Sequence, residues 1–228
     1  MRFVTVMFAA AVFAANAAQA ADKHDCYNVP YADDLSNITL GVVTAPKANF
    51  IANESDKAGC PSSSAACQRK AFVLSGNNVV IDKEGASSSF VCAAFVGARG
   101  QETDGWLPAA SVKAVTAPPN WIGKWKRDTS ANIEIKRKSA SKAELSGDAT
   151  WGQGEGTNVG DISADIDPRQ TVQGFGTASD QQTQTAYGKG DKDACAVLMK
   201  QIGPYLFAND NNNCGGMNVT FGGIYVKR

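Results

Sequence analysis

Residues 195–228, at the end of the chain, read CAVLMKQIGPYLFANDNNNCGGMNVTFGGIYVKR, and this stretch decides the fold class. Its apolar runs are short and are separated by Gly, Pro and Asn, a pattern typical of an antiparallel meander. Cys195 and Cys214 are the two cysteines of the second half of the chain, so we expect a disulfide that closes the meander. The stretch therefore predicts β architecture, but it contains no signature of a reaction or a ligand.

The chain upstream of this stretch continues the same pattern from residue 121 onward. Further strand-like runs occur at residues 131–136, 142–151, 161–166 and 171–176. No segment shows a long helical period of apolar residues. About eight short strands with frequent turns predict a closed antiparallel β-barrel or a sandwich over residues 121–228. We expect Trp121-Ile-Gly-Lys-Trp125 to start this barrel.

This second half resembles an exported bacterial domain with the pattern W-x-G-x-W near its start and C-G-G-x-N-V-x-F-x-G-x-Y at its end. The matching residues are Trp121, Trp125, Ile133, Ile135, Ala149, Trp151, Asn158, Gly160, Cys195, Leu206, Asp210, Asn211, Cys214, Gly215, Gly216, Asn218, Phe221, Gly223 and Tyr225. The resemblance brings no activity with it. The Gly-x-Trp start also resembles, more distantly, that of lipocalin- and avidin-like barrels, which implies a lipocalin-like meander.

A second β unit is expected at residues 49–115. Its strand-like runs lie at residues 49–51, 70–74, 79–81 and 90–96. Their order, followed by Gly105-Trp106-Leu107, resembles that of bacterial SH3-like domains. The match rests on residues 76–81, 90–96 and 105–107, of which Gly-Trp-Leu is the most specific part. It implies a small barrel that binds cell wall or peptide, although the cysteine-bearing loop departs from the family pattern.

The first 20 residues have the features of a cleaved signal peptide. Met1 and Arg2 form a short basic start, residues 3–13 are apolar, and Ala18-Gln19-Ala20 is an A-x-A cleavage site. The apolar run is too short to span a bilayer, and no cysteine directly follows the cleavage site. We therefore expect a periplasmic or secreted protein without a membrane span. The remaining predicted boundaries are an extension at 21–48, the SH3-like unit at 49–115, a Pro-rich linker at 116–120 and the barrel at 121–228.

The charge balance argues against several classes of partner. Lys and Arg together number 22, Asp and Glu together number 22, and there is one histidine. A balanced charge argues against electrostatically driven binding to nucleic acid or to an anionic membrane surface. We expect neither as a partner.

All six cysteines follow the predicted signal peptide, and an even number suits disulfides in an oxidising compartment. Cys60 and Cys67 flank a short loop, so a local bridge between them is one possibility, and Cys26 would then pair with Cys92. The competing scheme pairs Cys67 with Cys92 and Cys26 with Cys60. Spacing alone does not choose between the two schemes.

No catalytic, metal or cofactor site is predicted. The chain lacks Cys-x2-Cys spacing and its single histidine, His24, is near the mature N-terminus, so neither zinc binding nor a cysteine-based triad is expected. The Gly-rich stretch 152–160 lacks the following helix of a phosphate loop. The side chains of residues 210–213 suit hydrogen bonding within a turn, and their oxygen atoms lack the spacing of a calcium loop. Gly215 and Gly216 instead predict a tight crossing, with positive φ angles and a close approach of two backbones.

Four tryptophans are the candidate ligand-binding residues: Trp106, Trp121, Trp125 and Trp151. Aromatic rings at the mouth of a barrel bind sugars or apolar ligands, although such rings more often fill cores. Scattered carboxylates form a second, weaker set in which no spacing selects a catalytic pair. Its members are Glu134, Glu144, Asp148, Glu155, Asp161, Asp165 and Asp167.

Taken together, these features predict an exported, disulfide-stabilised, all-β protein of two units. We expect a non-enzymatic binding or adaptor protein of the bacterial envelope, with peptidoglycan or another envelope protein as its partner. Inhibition of lysozyme, in the manner of small periplasmic barrels, is one form that this binding could take. The alternative is a hydrolase that uses two carboxylates on cell-wall glycan or peptide.

Overall fold

A computed structural model describes residues 25–27, 29, 35–84, 87–97, 101–178 and 183–228 of the chain. The predicted signal peptide, residues 1–20, lies outside the described residues, as does His24. The described part is built of antiparallel strands, so the all-β prediction is confirmed. None of its helical segments is long and apolar enough to cross a membrane.

The strands form two antiparallel sheets. The first sheet has the order β3-β2-β6-β5-β4-β1-β7 and contains β1 (Ile38–Val43), β2 (Lys47–Ile51), β3 (Gln68–Leu74), β4 (Asn78–Asp82), β5 (Phe90–Val96), β6 (Glu102–Pro108) and β7 (Val112–Val115). The second has the order β11-β10-β9-β8-β16-β15-β14-β12-β13 and contains β8 (Gly123–Lys126), β9 (Ala131–Arg137), β10 (Ala143–Trp151), β11 (Asn158–Ile166), β12 (Val172–Thr177), β13 (Gln184–Ala186), β14 (Ala196–Ile202), β15 (Tyr205–Asp210) and β16 (Gly223–Lys227). One-turn 3-10 segments lie at Ala65–Cys67, Ala109–Ser111 and Gly154–Gly156.

Strand β1 belongs to the first sheet, although the sequence analysis assigned its residues to an N-terminal extension. It pairs with β4 on one side and with β7 on the other. Both of its faces are covered, because Ile38 and Leu40 pack toward the second sheet and Val43 packs in the core of the first. A strand buried on both faces reads as a continuous apolar run, so its sequence lacks the alternation that marks a half-exposed strand.

The three disulfides are Cys26–Cys92, Cys60–Cys67 and Cys195–Cys214. The predicted Cys195–Cys214 pair is therefore confirmed, and of the two schemes for the first half, the one with a local Cys60–Cys67 bridge is the one observed. Cys26–Cys92 joins the start of the described chain to β5 across 66 residues. Three disulfides indicate an oxidising compartment.

One apolar cluster joins the two sheets. Tyr205 and Phe207 of β15 and Ile224 of β16 pack with buried residues of the first unit, among them Leu40 and Val80. Burial of this kind contributes about 25 cal/mol for each Å² of apolar surface removed from water. The two units are therefore packed together through a common core, and the linker at 116–120 does not separate them.

A buried lysine reinforces this contact. Lys200 lies on β14 with 8% of its surface exposed. Its Nζ donates to the carbonyl oxygens of Leu35 at 2.5 Å, Ile38 at 2.6 Å and Ser36 at 3.4 Å. Since these carbonyls belong to the segment that leads into β1, the ammonium group connects the two sheets.

The nine-stranded sheet curls until its edge strands meet, and two glutamine side chains bridge the seam. The Gln184 amide accepts from Asp165 N at 2.7 Å and donates to Asp165 O at 3.0 Å. The Gln173 amide pairs in the same way with the backbone of Asp167, at 3.3 and 2.6 Å. Each amide thus takes the place of a peptide group on a neighbouring strand, and the barrel is nearly closed.

Substitution of Lys200 by Met should destabilise the protein by about 2–3 kcal/mol, because buried carbonyl groups lose a charged donor. Urea-induced unfolding measures the change, and loss of a single cooperative transition would show that the units have uncoupled. Lys124→Met is the matched control, since that side chain is 74% exposed, and it should alter the stability by no more than about 0.5 kcal/mol. Equal effects of both substitutions would contradict the role of Lys200.

An ion pair next to the seam shifts the pKa of the Asp167 carboxyl group. Hydrogen bonds from Arg169 lower the pKa of Asp167 to about 2. The pair therefore adds stability above the ordinary carboxyl pKa of 3.8, and this contribution is lost as the pH falls toward 2. Arg169→Gln should return the Asp167 pKa toward 3.8 in a carbon-detected NMR titration. Arg69→Gln, on β3 of the first sheet, should leave it unchanged, and an unchanged value in Arg169→Gln would refute the assignment.

Candidate functional site

The interior of the barrel is a packed core. Trp121, Trp125, Phe221 and Tyr225 are fully buried within it. The Trp125 indole donates to Trp121 O at 2.7 Å, and the Tyr225 hydroxyl donates to Phe221 O at 2.8 Å. These aromatic side chains occupy the space in which a lipocalin-type barrel would hold its ligand, so the surface open to a ligand lies on the outside of the barrel.

The structure separates the four candidate tryptophans. Trp106, Trp121 and Trp125 are 3%, 1% and 1% exposed and are core residues, so none of them offers a ring to a ligand from solvent. Trp151 is 49% exposed and is the last residue of β10. The four tryptophans therefore do not form one binding surface. Three of them are buried in two different cores, and Trp151 belongs to neither core.

The candidate site is a groove of about 280 Å³ on the outer face of the barrel. Its lining residues are Tyr187, Leu198, Asn209, Asp210, Asn212, Thr220 and Gly222. We call it the Tyr187 groove. It crosses the sheet because Leu198 of β14 pairs with Gly174 of β12 on one side and with Asn209 of β15 on the other.

The groove has room on this face because two positions, Gly174 and Gly222, carry no side chain. A Cβ atom at Gly174 would lie 2.8 Å from Cβ of Tyr187 and 3.2 Å from Leu198 Cδ1, so the tyrosine side chain lies directly over this strand. At Gly222 an added Cβ would meet little besides Thr220 Oγ1, at 3.1 Å. Glycine within a strand often marks a place where another group approaches the backbone closely.

The rim of the groove is formed by three consecutive asparagines, which make different contacts. Asn211 accepts from Ala196 N at 3.0 Å and donates to Ala194 O at 2.7 Å. Asn213 donates to Lys192 O at 3.3 Å. Asn212, between them, has a φ of 60° and lines the groove. The two outer amides thus attach the loop to the segment before β14, while the middle residue faces the open space.

The carboxylate of Asp210 is committed to the local fold. It accepts from Thr220 Oγ1 at 2.8 Å, from Phe221 N at 2.6 Å and from Asn212 N at 3.2 Å. Arg127 holds the same segment from the other side by donating to Thr220 O at 2.9 Å and Gly222 O at 2.6 Å. The far wall of the groove is therefore a rigid loop rather than a free acidic side chain.

The predicted crossing at Cys214-Gly-Gly is observed as a close approach of two backbones. An added Cβ at Gly215 would lie 2.7 Å from Cα of Gly160 on β11. The positive φ that the sequence analysis expected at the glycines lies instead at Asn218, whose φ is 66°. This crossing and the Cys195–Cys214 disulfide both lie at the base of the loop that forms the rim.

Two other hollows among the described residues are less suited to ligand binding. One of about 320 Å³ lies on the outer face of β8, β9 and β10, where charged side chains pair with each other, as Lys124 and Lys136 do with Glu134. Another, of about 150 Å³, lies at the junction of the two sheets around Lys200, whose ammonium group already binds backbone carbonyls. Neither combines an exposed aromatic ring with open polar groups.

The scattered carboxylates do not form a catalytic pair. Asp148 and Asp161 lie opposite each other on β10 and β11, but both are exposed on the outer face. None of the seven candidate carboxylates is buried, and the buried acid in the described part of the chain is Asp82 in the first sheet. Within the same residues no group of three or more His, Cys, Asp or Glu side chains could hold a metal ion.

Sequence reasoning missed Tyr187 and assigned residues 210–213 to hydrogen bonding within a turn rather than to a ligand site. The available signal was the pair of glycines, Gly174 and Gly222, within or beside apolar strand runs. Comparison of the chain with protein-family models, with curated proteins and with solved structures found no match. The interpretation of the site therefore rests on its own geometry.

Substitution of Gly160 by Ala should destabilise the protein by about 1–3 kcal/mol, because the new methyl group would strike the backbone of Cys214 and Gly215. Gly156→Ala is the matched control, since an added Cβ there meets nothing within 4 Å. Urea-induced unfolding of both variants measures the difference. Equal stability of the two variants would show that the crossing does not hold the loop.

Proposed function

We propose that this protein is an exported, non-enzymatic binding protein of the bacterial envelope that attaches to cell-wall glycan. The observation that carries the proposal is the Tyr187 groove, an open site with a half-exposed aromatic ring and polar side chains on a rigid loop. Binding proteins often use such a concave surface with a few well-placed polar groups.

Two further features support the envelope location. The three disulfides suit an oxidising compartment, and residues 1–20 have the sequence features of a signal peptide. The likeness of the first unit to bacterial SH3-like domains supports the cell wall as the place of attachment. In an adaptor of this kind the first unit would bind the partner. The common core would hold the Tyr187 groove beside that unit.

We do not propose a catalytic reaction at the Tyr187 groove. Its one carboxylate, Asp210, accepts hydrogen bonds from its own loop, and the remaining lining residues are amide, hydroxyl, aromatic or aliphatic groups and a glycine. Hydrolysis of a glycan needs two positioned carboxyl groups. The arrangement fits the holding of a ligand better than its cleavage.

Sedimentation with insoluble peptidoglycan tests the proposal. The chain from residue 21 onward should pellet with purified peptidoglycan and remain in the supernatant with cellulose. Retention should persist in high salt, because the groove carries little charge and residues 21–228 are nearly balanced, with 21 Lys and Arg against 22 Asp and Glu once Arg2 is removed. Equal sedimentation with both polymers, or release by salt, would refute specific attachment to the wall.

A further inference from the structure

The tyrosine of the groove is held in place while half of it stays open. Its Cβ and Cγ atoms lie over Gly174, at 2.8 and 3.2 Å from the position of an added Cβ there, yet the residue is 49% exposed. An exposed aromatic ring that is fixed at its base loses little conformational entropy when a flat ligand packs on it. The ring therefore suits a ligand with an apolar face.

The charge of the groove restricts the ligand. Among its lining residues Asp210 is the charged one, and no Lys, Arg or His contributes to it. The nearby Arg127 guanidinium is already bound to Thr220 O, Gly222 O and the Asp128 carboxylate. A phosphate, sulfate or carboxylate ligand would therefore meet the negative Asp210 without a cation that lines the groove, which is unfavourable. The ligand is accordingly neutral.

The polar groups indicate hydrogen-bonding partners of the amide and hydroxyl type. Asn212 contributes a side-chain amide with both donor and acceptor atoms, and Asn209 lines the groove beside it. The Thr220 hydroxyl already donates to Asp210 and accepts from Gly222 N. Leu198, between Gly174 and Asn209 in the sheet, adds a small apolar surface directly beside an amide. An apolar patch next to an amide matches an acetamido group, which combines a methyl group with an N–H and a carbonyl.

We infer that the Tyr187 groove binds an N-acetylated amino-sugar ring of a neutral glycan. The apolar face of the ring packs on Tyr187, the acetamido methyl group contacts Leu198, and the Asn212 amide bonds the acetamido group or a ring hydroxyl. The inference rests on the proposed function and names the part of the wall polymer that is bound. Since ligand pockets usually measure about 300–1,000 Å³, a groove of about 280 Å³ admits one ring and leaves the rest of the glycan outside.

Two soluble trisaccharides test the ligand class. Tri-N-acetylchitotriose and cellotriose share the same β-1,4-linked glucose backbone and differ in the acetamido groups. In NMR titrations of the chain from residue 21 onward, the acetylated sugar should bind at least about tenfold more tightly than cellotriose, a factor that corresponds to about 1.4 kcal/mol. The chemical shift changes should centre on Tyr187 and Leu198. Equal affinities would overturn the acetamido assignment.

Matched variants test the site. Tyr187→Ala should weaken binding of the acetylated trisaccharide at least about tenfold, and Trp151→Ala, which removes an equally exposed aromatic ring elsewhere, should leave it unchanged. Asn212→Gly removes the side-chain amide from the groove, and glycine tolerates the positive φ at this position. This variant should weaken binding severalfold. Asn218→Gly makes the same change at a similar φ outside the groove and should have no effect. Thermal melting of each variant confirms its folding.

The outcomes separate this inference from the proposed function. Binding of the soluble sugar without retention on peptidoglycan would support the groove assignment and overturn attachment to the wall. Retention on peptidoglycan that is unaffected by Tyr187→Ala and Asn212→Gly would support attachment and overturn the groove. Binding of neither sugar would overturn the inference alone.

Discussion

The contact between the outer face of β14, β15 and β16 and the first unit is the constraint on which the rest of the structure depends. The inner face of these strands is buried in the barrel core, and part of the outer face is buried again against the first sheet. Tyr205 and Phe207 are the outer residues of β15 within that contact. Strands covered on both faces lose the freedom to shift, because every register other than the native one would bury polar groups.

The groove begins where this contact ends. Along β15 the outward-facing positions are Tyr205, Phe207 and then Asn209, so the strand changes from aromatic to amide as it leaves the first unit. On β14, Lys200 lies opposite Phe207, and Leu198 lies opposite Asn209. Leu198 borders the common core and also lines the groove. The first unit thus supports one end of the site without taking part in it, which gives the site a rigid base.

Much of the architecture could be predicted because its signals are local. Period-2 alternation, Gly and Asn turns and the absence of a helical period together indicate strands, whichever other strands they pair with. The Cys195–Cys214 bridge follows from the distribution of cysteines along the chain. Strand β1 was harder to assign because burial on both faces removes the alternation, and the choice between two disulfide schemes in the first half needed coordinates.

The sequence by itself determined the all-β class, the barrel in the second half and the cysteines available for disulfides, since each depends on residues near one another or on simple counting. It also indicated that Gly215 and Gly216 lie at a close crossing, but not that their partner is Gly160 of β11. Only the tertiary structure decided that three tryptophans are core residues and that Tyr187, Leu198, Asn209 and Asn212 share one groove. These four residues come from β14, β15 and the segments that follow β13 and β15, and their meeting depends on strand order. Strand order is set by the packing of whole sheets, and no short stretch of sequence records it.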